Sequence, residues 1–336
     1  MTGSLQPIGR CLVVANPVAG AVTDELLAGV AGQCRAHGAV VATRLTRRAG
    51  DAAAIVAEAV AADGRELGVV VVGGDGTVAE AAEGLARALG RWPAGRPGGP
   101  PATGAGTPAL LVVPAGTGNF SYRAIWGEAA WPDVLACALT GDDTSVQVRE
   151  LDLARLVELD RVVLLGASTG LIAEVTEAAL GFPEVAGRKR YYRALAAVLA
   201  DPRSYPGRVL VDGDEVHAGS TTMVTVGGAQ HRVGKFRVLP RSVLDDGLLD
   251  VCVIDGDLDD TTRTELAPLV LTGAHLGHSS VAYVQGSRVV IERTDGGPLR
   301  TEHDGEIVPQ LSRVTLEVAP GALPVVGPAP ASAAAG

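Results

Sequence analysis

Leu67–Thr77 reads LGVVVVGGDGT and continues as VAEAAEGLARAL. Four consecutive valines with no polar alternation describe a strand buried on both faces, as in a parallel sheet. Gly73, Gly74 and Gly76 remove side chains where the chain must turn from strand into helix. Backbone N–H groups and a helix N-terminus then face the carboxyl edge of the sheet, which suits an anionic phosphate. The pattern is neither the dinucleotide fingerprint nor Walker A, since no lysine follows the glycines. A carboxylate inside a phosphate loop repels its ligand unless it meets a metal or a hydroxyl. Asp75 therefore reads as a chemical residue.

The neighbouring sequence repeats the theme. Ala109–Val113 is an apolar strand that ends in PAGTGN (Pro114–Asn119), a second glycine loop within about 45 residues. Upstream lie a strand Cys11–Ala15, a turn Asn16–Gly20, a helix Asp24–His37, and a strand Val40–Leu45. A loop Thr46–Asp51 follows, with Asp51 the expected N-cap of a helix Ala52–Ala62. Strands alternating with helices give a parallel α/β layer whose loops converge at its carboxyl edge.

After Thr140–Thr144 the pattern becomes mostly β. Short strands are expected at Val146–Leu153, Arg161–Ala167, Arg208–Val211, Thr221–Val226, Leu249–Ile254, Val281–Val284 and Ser287–Glu292. Helices are expected at Ala173–Ala179, Tyr191–Leu199 and Thr261–Leu271. The Pro/Gly-rich stretch Arg91–Thr107 reads as a mobile surface loop, residues 1–7 as a disordered lead, and 328–336 as a disordered tail.

Composition narrows the function. The 336 residues suffice for two domains, and with 47% apolar but only 3% aromatic residues the cores must be built from Val, Leu and Ala. A net charge of −10 without a basic block disfavours nucleic acid and adhesion to an anionic membrane, leaving a local patch at Arg188, Lys189, Arg190 and Arg193. Four scattered cysteines indicate reduced thiols. No signal peptide or membrane-spanning run is recognisable, so the expected location is cytoplasmic.

Six motifs then occur in one order: NPVAG, Thr46-x-x-x-Gly50-Asp51-Ala52, GGDGT, PAGTGN, DDGLLDV at Asp245–Val251, and Asp304-Gly305-Glu306. Together they resemble the diacylglycerol kinase catalytic-domain superfamily, especially its soluble bacterial lipid kinases, from about Gly9 to Val326. GGDGT by itself is shared with NAD kinases. The resemblance implies an N-terminal parallel α/β nucleotide-binding domain (residues 8–142, joined by about 307–327 returning from the C-terminus). It implies a C-terminal β-rich sandwich (143–306) carrying a lipid surface, with the nucleotide between the two domains. ATP and Mg²⁺ are the implied cofactors, a lipid at the membrane surface the implied partner, and a homodimer the implied assembly.

By the same resemblance, Asn16, Pro17, Val18, Ala19, Gly20, Thr46 and Thr117 contact the nucleotide. Gly74, Asp75, Gly76, Thr77, Val78, Ala79 and Glu80 wrap its phosphates. Asp75 holds Mg²⁺ through water or assists the acceptor hydroxyl. Glu306 accepts the hydroxyl proton with Asp304 beside it, and Val243, Asp246 and Leu248 form a loop for a structural Mg²⁺. Two carboxylates two residues apart share a face in a strand but diverge in a turn. His303, just before them, reads as a surface histidine. The chain departs from the family pattern at Ala79, where Asn is usual, and at Phe120, where Asp is common. The expected activity is transfer of the γ-phosphoryl group of ATP to a diacylglycerol-like lipid. A kinase of NAD or another soluble alcohol, and a non-catalytic, nucleotide-responsive lipid-binding protein, are the competing readings.

Overall fold

The computed structural model describes residues 8–92, 106–141, 145–185, 187–232 and 236–329. The lead at 1–7, most of the Pro/Gly-rich stretch, and the tail from 330 onward lie outside the described residues. The chain forms two compact units: residues up to Leu151 together with those from Gly321 onward, and Asp152–Pro320.

The first unit alternates strand and helix. Its order is β1 (Arg10–Ala15), α1 (Asp24–Ala36), β2 (Val40–Leu45), α2 (Asp51–Asp63), β3 (Leu67–Gly73), α3 (Asp75–Ala88), β4 (Ala109–Pro114), α4 (Phe120–Trp126) and α5 (Trp131–Thr140). The strands lie in the order β2-β1-β3-β4, all parallel. All seven residues of β3 are buried, as four successive valines require, whereas β2 is an exposed edge. The chain steps from β1 outward to β2 and then back across to β3. The carboxyl ends of β1 and β3 therefore flank the switch point at which open α/β sheets bind ligands. Helices α4 and α5 have no counterpart among the expected elements. The first spans only seven residues, too short for a periodic signature, and starts from Asn119 at φ +52°.

The second unit takes most of β5 (Val146–Leu156), then β6 (Arg161–Val163), β7 (Gly166–Gly170), α6 (Leu171–Leu180), α7 (Arg188–Leu199), β8 (Tyr205–Val211) and β9 (Asp214–Gly227). It continues with β10 (Leu249–Asp255), α8 (Asp260–Thr272), β11 (Val281–Gly286), β12 (Arg288–Arg293), β13 (Thr301–His303), β14 (Glu306–Ile307) and most of β15 (Arg313–Pro328). Pairing here is antiparallel. The first half of β9 pairs with β8, and its second half lies between β7 and β10. The expected strand Arg161–Ala167 is two strands, divided before Gly166, where φ is +146°. A Cβ on Gly166 would meet the guanidinium of Arg232.

The division between the two compact units falls at 151/152 and 320/321. Both lie inside long strands, β5 and β15, so no change of composition marks them. Beyond Pro320, β15 belongs to the first unit, where Val325 pairs in parallel with Leu110 of β4. Valine, leucine and alanine make up most of both cores. No helix among the described residues is long and apolar enough to cross a membrane.

Candidate functional site

In the first unit, three loops meet at the carboxyl ends of β1, β3 and β4. Asn16 N donates to Val72 O, Ala115 N to Gly73 O, and Ala21 N to Ala115 O. The Asn16 amide donates to the Thr77 hydroxyl at 3.3 Å, while its carbonyl accepts from Val18 N at 3.1 Å. The two glycine loops touch backbone to backbone. A Cβ on Gly116 would collide with Gly74 Cα, and one on Gly118 would lie 2.7 Å from the Phe120 ring and 3.2 Å from Asp75 Oδ2. Glycine is dictated here by close approach. Gly116→Ala is expected to cost about 1–3 kcal/mol by overpacking, read as a lower melting temperature.

Asp75 is the first residue of α3, whose N-cap is Gly74 in extended conformation with no side-chain cap. Its half-buried carboxylate reaches out of its own helix. Oδ1 accepts from both Ser121 N and Ser121 Oγ at 2.8 Å, satisfying an open donor in the first turn of α4. Glu80 does the same for α2: its Oε2 accepts from Ala52 N at 3.2 Å. Asp51, the expected N-cap of that helix, is instead its first residue. Gly50 caps in the left-handed region (φ +85°), and Asp51 turns back to accept from Arg47 N at 2.8 Å. The three N–H···O bonds to Asp51 outweigh its small desolvation and hold its carboxyl below the ordinary range, the Arg47 amide contributing most. Thr46 is buried, with its N–H on Ala15 O. Val18, at the tip of the first loop, is 88% exposed.

In the second unit, Asp304 (φ +49°) and Gly305 (φ +87°) form a two-residue turn between β13 and β14, with His303 opposite Glu306. The two carboxylates diverge. The Asp304 carboxylate is buried: Oδ2 accepts from Leu164 N at 2.7 Å, and Oδ1 from Leu165 N at 2.7 Å and Gly166 N at 3.2 Å. Burial alone would raise its carboxyl, but His303 and the backbone donors outweigh it and hold the group below the ordinary range. Asp304 thus locks the hairpin onto the start of β7, and Glu306 is exposed.

His303 is not a surface residue. It is buried, with Nδ1 3.7 Å from Asp304 Oδ2. Burial lowers its pKa, yet Asp304, Glu306 and Glu302 together push it above the ordinary histidine value. Two further charged groups were not signalled by any motif. Glu302 is buried, with one oxygen on Gly305 N at 2.9 Å, and Arg232 is buried within its electrostatic reach. Glu302 sits on the three-residue strand β13 and Arg232 in the connection between β9 and β10, and neither local sequence hints at burial.

The DDGLLDV loop holds Asp246 in a tight turn. Oδ1 accepts from Leu248 N at 3.0 Å, and Oδ2 faces Gln285 Nε2 at 3.3 Å. No group of three or more His, Cys, Asp or Glu side chains among the described residues is arranged for a metal. Elsewhere in this unit, a cavity of about 220 Å³ is walled chiefly by apolar side chains, among them Ile172, Leu195, Met223, Val238 and Leu266.

The diacylglycerol kinase catalytic domain model matches residues 10–154, and the YegS C-terminal NAD kinase beta sandwich-like domain model matches residues 166–327. A YegS-like lipid kinase of Pseudomonas aeruginosa is 30% identical over 91% of this chain and 90% of its own length. A diacylglycerol kinase of Mycobacterium tuberculosis is 28% identical over 85% of each. Two solved structures from Bacillus anthracis described as diacylglycerol kinases share the fold. Their TM-scores are 0.72 and 0.65, at 20% and 18% identity, each alignment covering 96% of this chain and 98% of the other. Matched by both domain models and by relatives along nearly its whole length, the chain belongs to the diacylglycerol kinase family of phosphotransferases that act on an alcohol group.

Proposed function

We propose that the protein transfers the γ-phosphoryl group of ATP, with Mg²⁺, to the hydroxyl of a diacylglycerol-like lipid at a membrane surface. The apolar cavity of the second unit carries the lipid reading over a soluble alcohol, because NAD has no use for a hydrocarbon-lined wall. Leu180 on α6 and Tyr192 and Leu199 on α7 are large apolar side chains left exposed, and Leu199 also lines the cavity. They give an acidic protein a local apolar contact with lipid.

The first unit fits a triphosphate. Its glycine cradle has no room for Cβ atoms, and the start of α3 has no side-chain cap, which leaves its amide dipoles to an anion. Asn16, Thr77 and Thr117 add polar groups from the three loops. Asp75 Oδ2 would hold the hard cation, since Mg²⁺ needs only one or two carboxylates when phosphates supply other ligands. Bound there, Mg²⁺ would supply positive charge to neutralise the transferring phosphoryl group. Glu306, the exposed carboxylate of the hairpin, accepts the proton of the lipid hydroxyl. Val243 and Leu248 carbonyls with the Asp246 carboxylate form an all-oxygen set suited to a structural Mg²⁺.

Transfer of label from γ-labelled ATP into diacylglycerol mixed micelles, with NAD alongside, tests the reading. A labelled lipid and unlabelled NAD are expected; label in NAD alone overturns it, and ATP binding without any labelled product favours the non-catalytic alternative. Asp75→Asn sharpens the test, because asparagine retains a carbonyl for Ser121 and spares α4. Activity is expected to fall by about 100-fold or more with little change in melting temperature, as measured by the same assay and by calorimetry.

A further inference from the structure

A second cavity of the same unit, about 250 Å³, is polar. Arg203, Arg293 and Arg300 line it, with Tyr205, Gln310 and Glu174. Arg293 is already paired in a fork with Asp295, at 2.9 and 2.6 Å. Arg203 and Arg300 are not so engaged. The nearest carboxylate oxygens recorded for them are Asp201 at 3.8 Å and Glu174 and Glu177 at 3.6 and 3.7 Å. Among the described residues neither guanidinium makes a side-chain hydrogen bond. Two guanidiniums thus line one cavity, with Glu174 beside them. Planar donors of this kind suit the paired oxygens of phosphate or carboxylate.

The two cavities share a wall: Arg203 and Ser204 line both. Arginine is suited to such a border, since its stem lies along apolar surface while its head stays polar. The apolar cavity, about 220 Å³, has room for a hydrocarbon chain of a lipid. Glu174 opposes an anion least when protonated, and its burial raises its carboxyl above the ordinary range, Arg300 and Arg203 pulling the other way.

We propose that the second unit binds an amphiphile with an anionic head. A hydrocarbon chain lies in the apolar cavity, and its phosphate or carboxylate sits on Arg203 and Arg300. This deepens the lipid reading of the same cavity and rests on a chain entering it, not on phosphoryl transfer.

Calorimetric titration of the full chain without ATP, using decyl phosphate, decanoate, decanol and inorganic phosphate below micelle-forming concentrations, tests it. Decyl phosphate or decanoate is expected to bind at least about tenfold more tightly than decanol and inorganic phosphate. Arg300→Gln, exposed and absent from the wall of the apolar cavity, should remove most of that advantage and leave decanol binding unchanged. Ala267→Phe, which puts an aromatic ring at an exposed position of the apolar wall, should weaken amphiphile and decanol binding alike, with a thermal melt verifying the fold. Equal binding of decanol and the anionic probes overturns the head site. Inorganic phosphate binding as tightly as decyl phosphate overturns the amphiphile in favour of a simple anion site. Because no turnover is read, a protein without kinase activity can still pass, and an active kinase can still fail.

Discussion

Glu306→Gln is expected to lower kcat for lipid phosphorylation by about 100- to 10,000-fold, the range for loss of a positioned general base. Melting temperature and ATP affinity should be unchanged. Glutamine keeps the shape and polarity of the side chain but cannot take up a proton. The residue is exposed on the short strand β14, and no recorded hydrogen bond of its side chain would be broken. The variant therefore separates chemistry from folding more cleanly than any other in the hairpin. A rate within tenfold of the unmodified protein would remove Glu306 from the reaction. His303 would then be the group to examine, since it lies opposite Glu306 in the hairpin register and its pKa is raised.

Much of the first unit is legible in the sequence because a parallel sheet writes its strands as unbroken apolar runs. The valines of β3 and the apolar run of β4 are buried as their pattern requires, and both end in glycine loops that touch. What those loops do with their carboxylates is not legible. That Asp75 serves α4 and Glu80 serves α2 depends on which helix starts lie across the sheet edge, a tertiary fact with no local signature. Likewise, Asp304-Gly305-Glu306 left a shared face and a diverging turn equally open. The left-handed φ values of Asp304 and Gly305 decide for the turn. Glu302 and His303 precede it as ordinary polar residues, and their burial in β13, which pairs with β7, is a tertiary outcome.

Asp304→Asn tests that buried arrangement through stability. Asparagine tolerates the left-handed backbone, so the turn itself is spared. Its NH₂ cannot accept, so at least one of the Leu164, Leu165 and Gly166 amides loses its partner, and the charge that strengthened all three bonds is gone. A loss of about 2–4 kcal/mol at neutral pH follows, or roughly 5–15 °C in melting temperature. Because the folded Asp304 carboxyl lies below its unfolded value, its contribution is fully present above the ordinary aspartate range. It disappears as pH falls through the lower folded value, so the gap between the two proteins should close in acid. His303 runs the opposite way. Its folded value is raised, so its stabilisation is complete below the ordinary histidine value and is lost as pH rises through the folded one. With Asp304 neutralised, burial becomes the larger influence on the imidazole, and its titration followed by NMR should move down. An unchanged His303 titration together with an unchanged melting temperature would mean that the carboxylate does not hold the hairpin, and would return Asp304 to the candidates for direct contact with substrate.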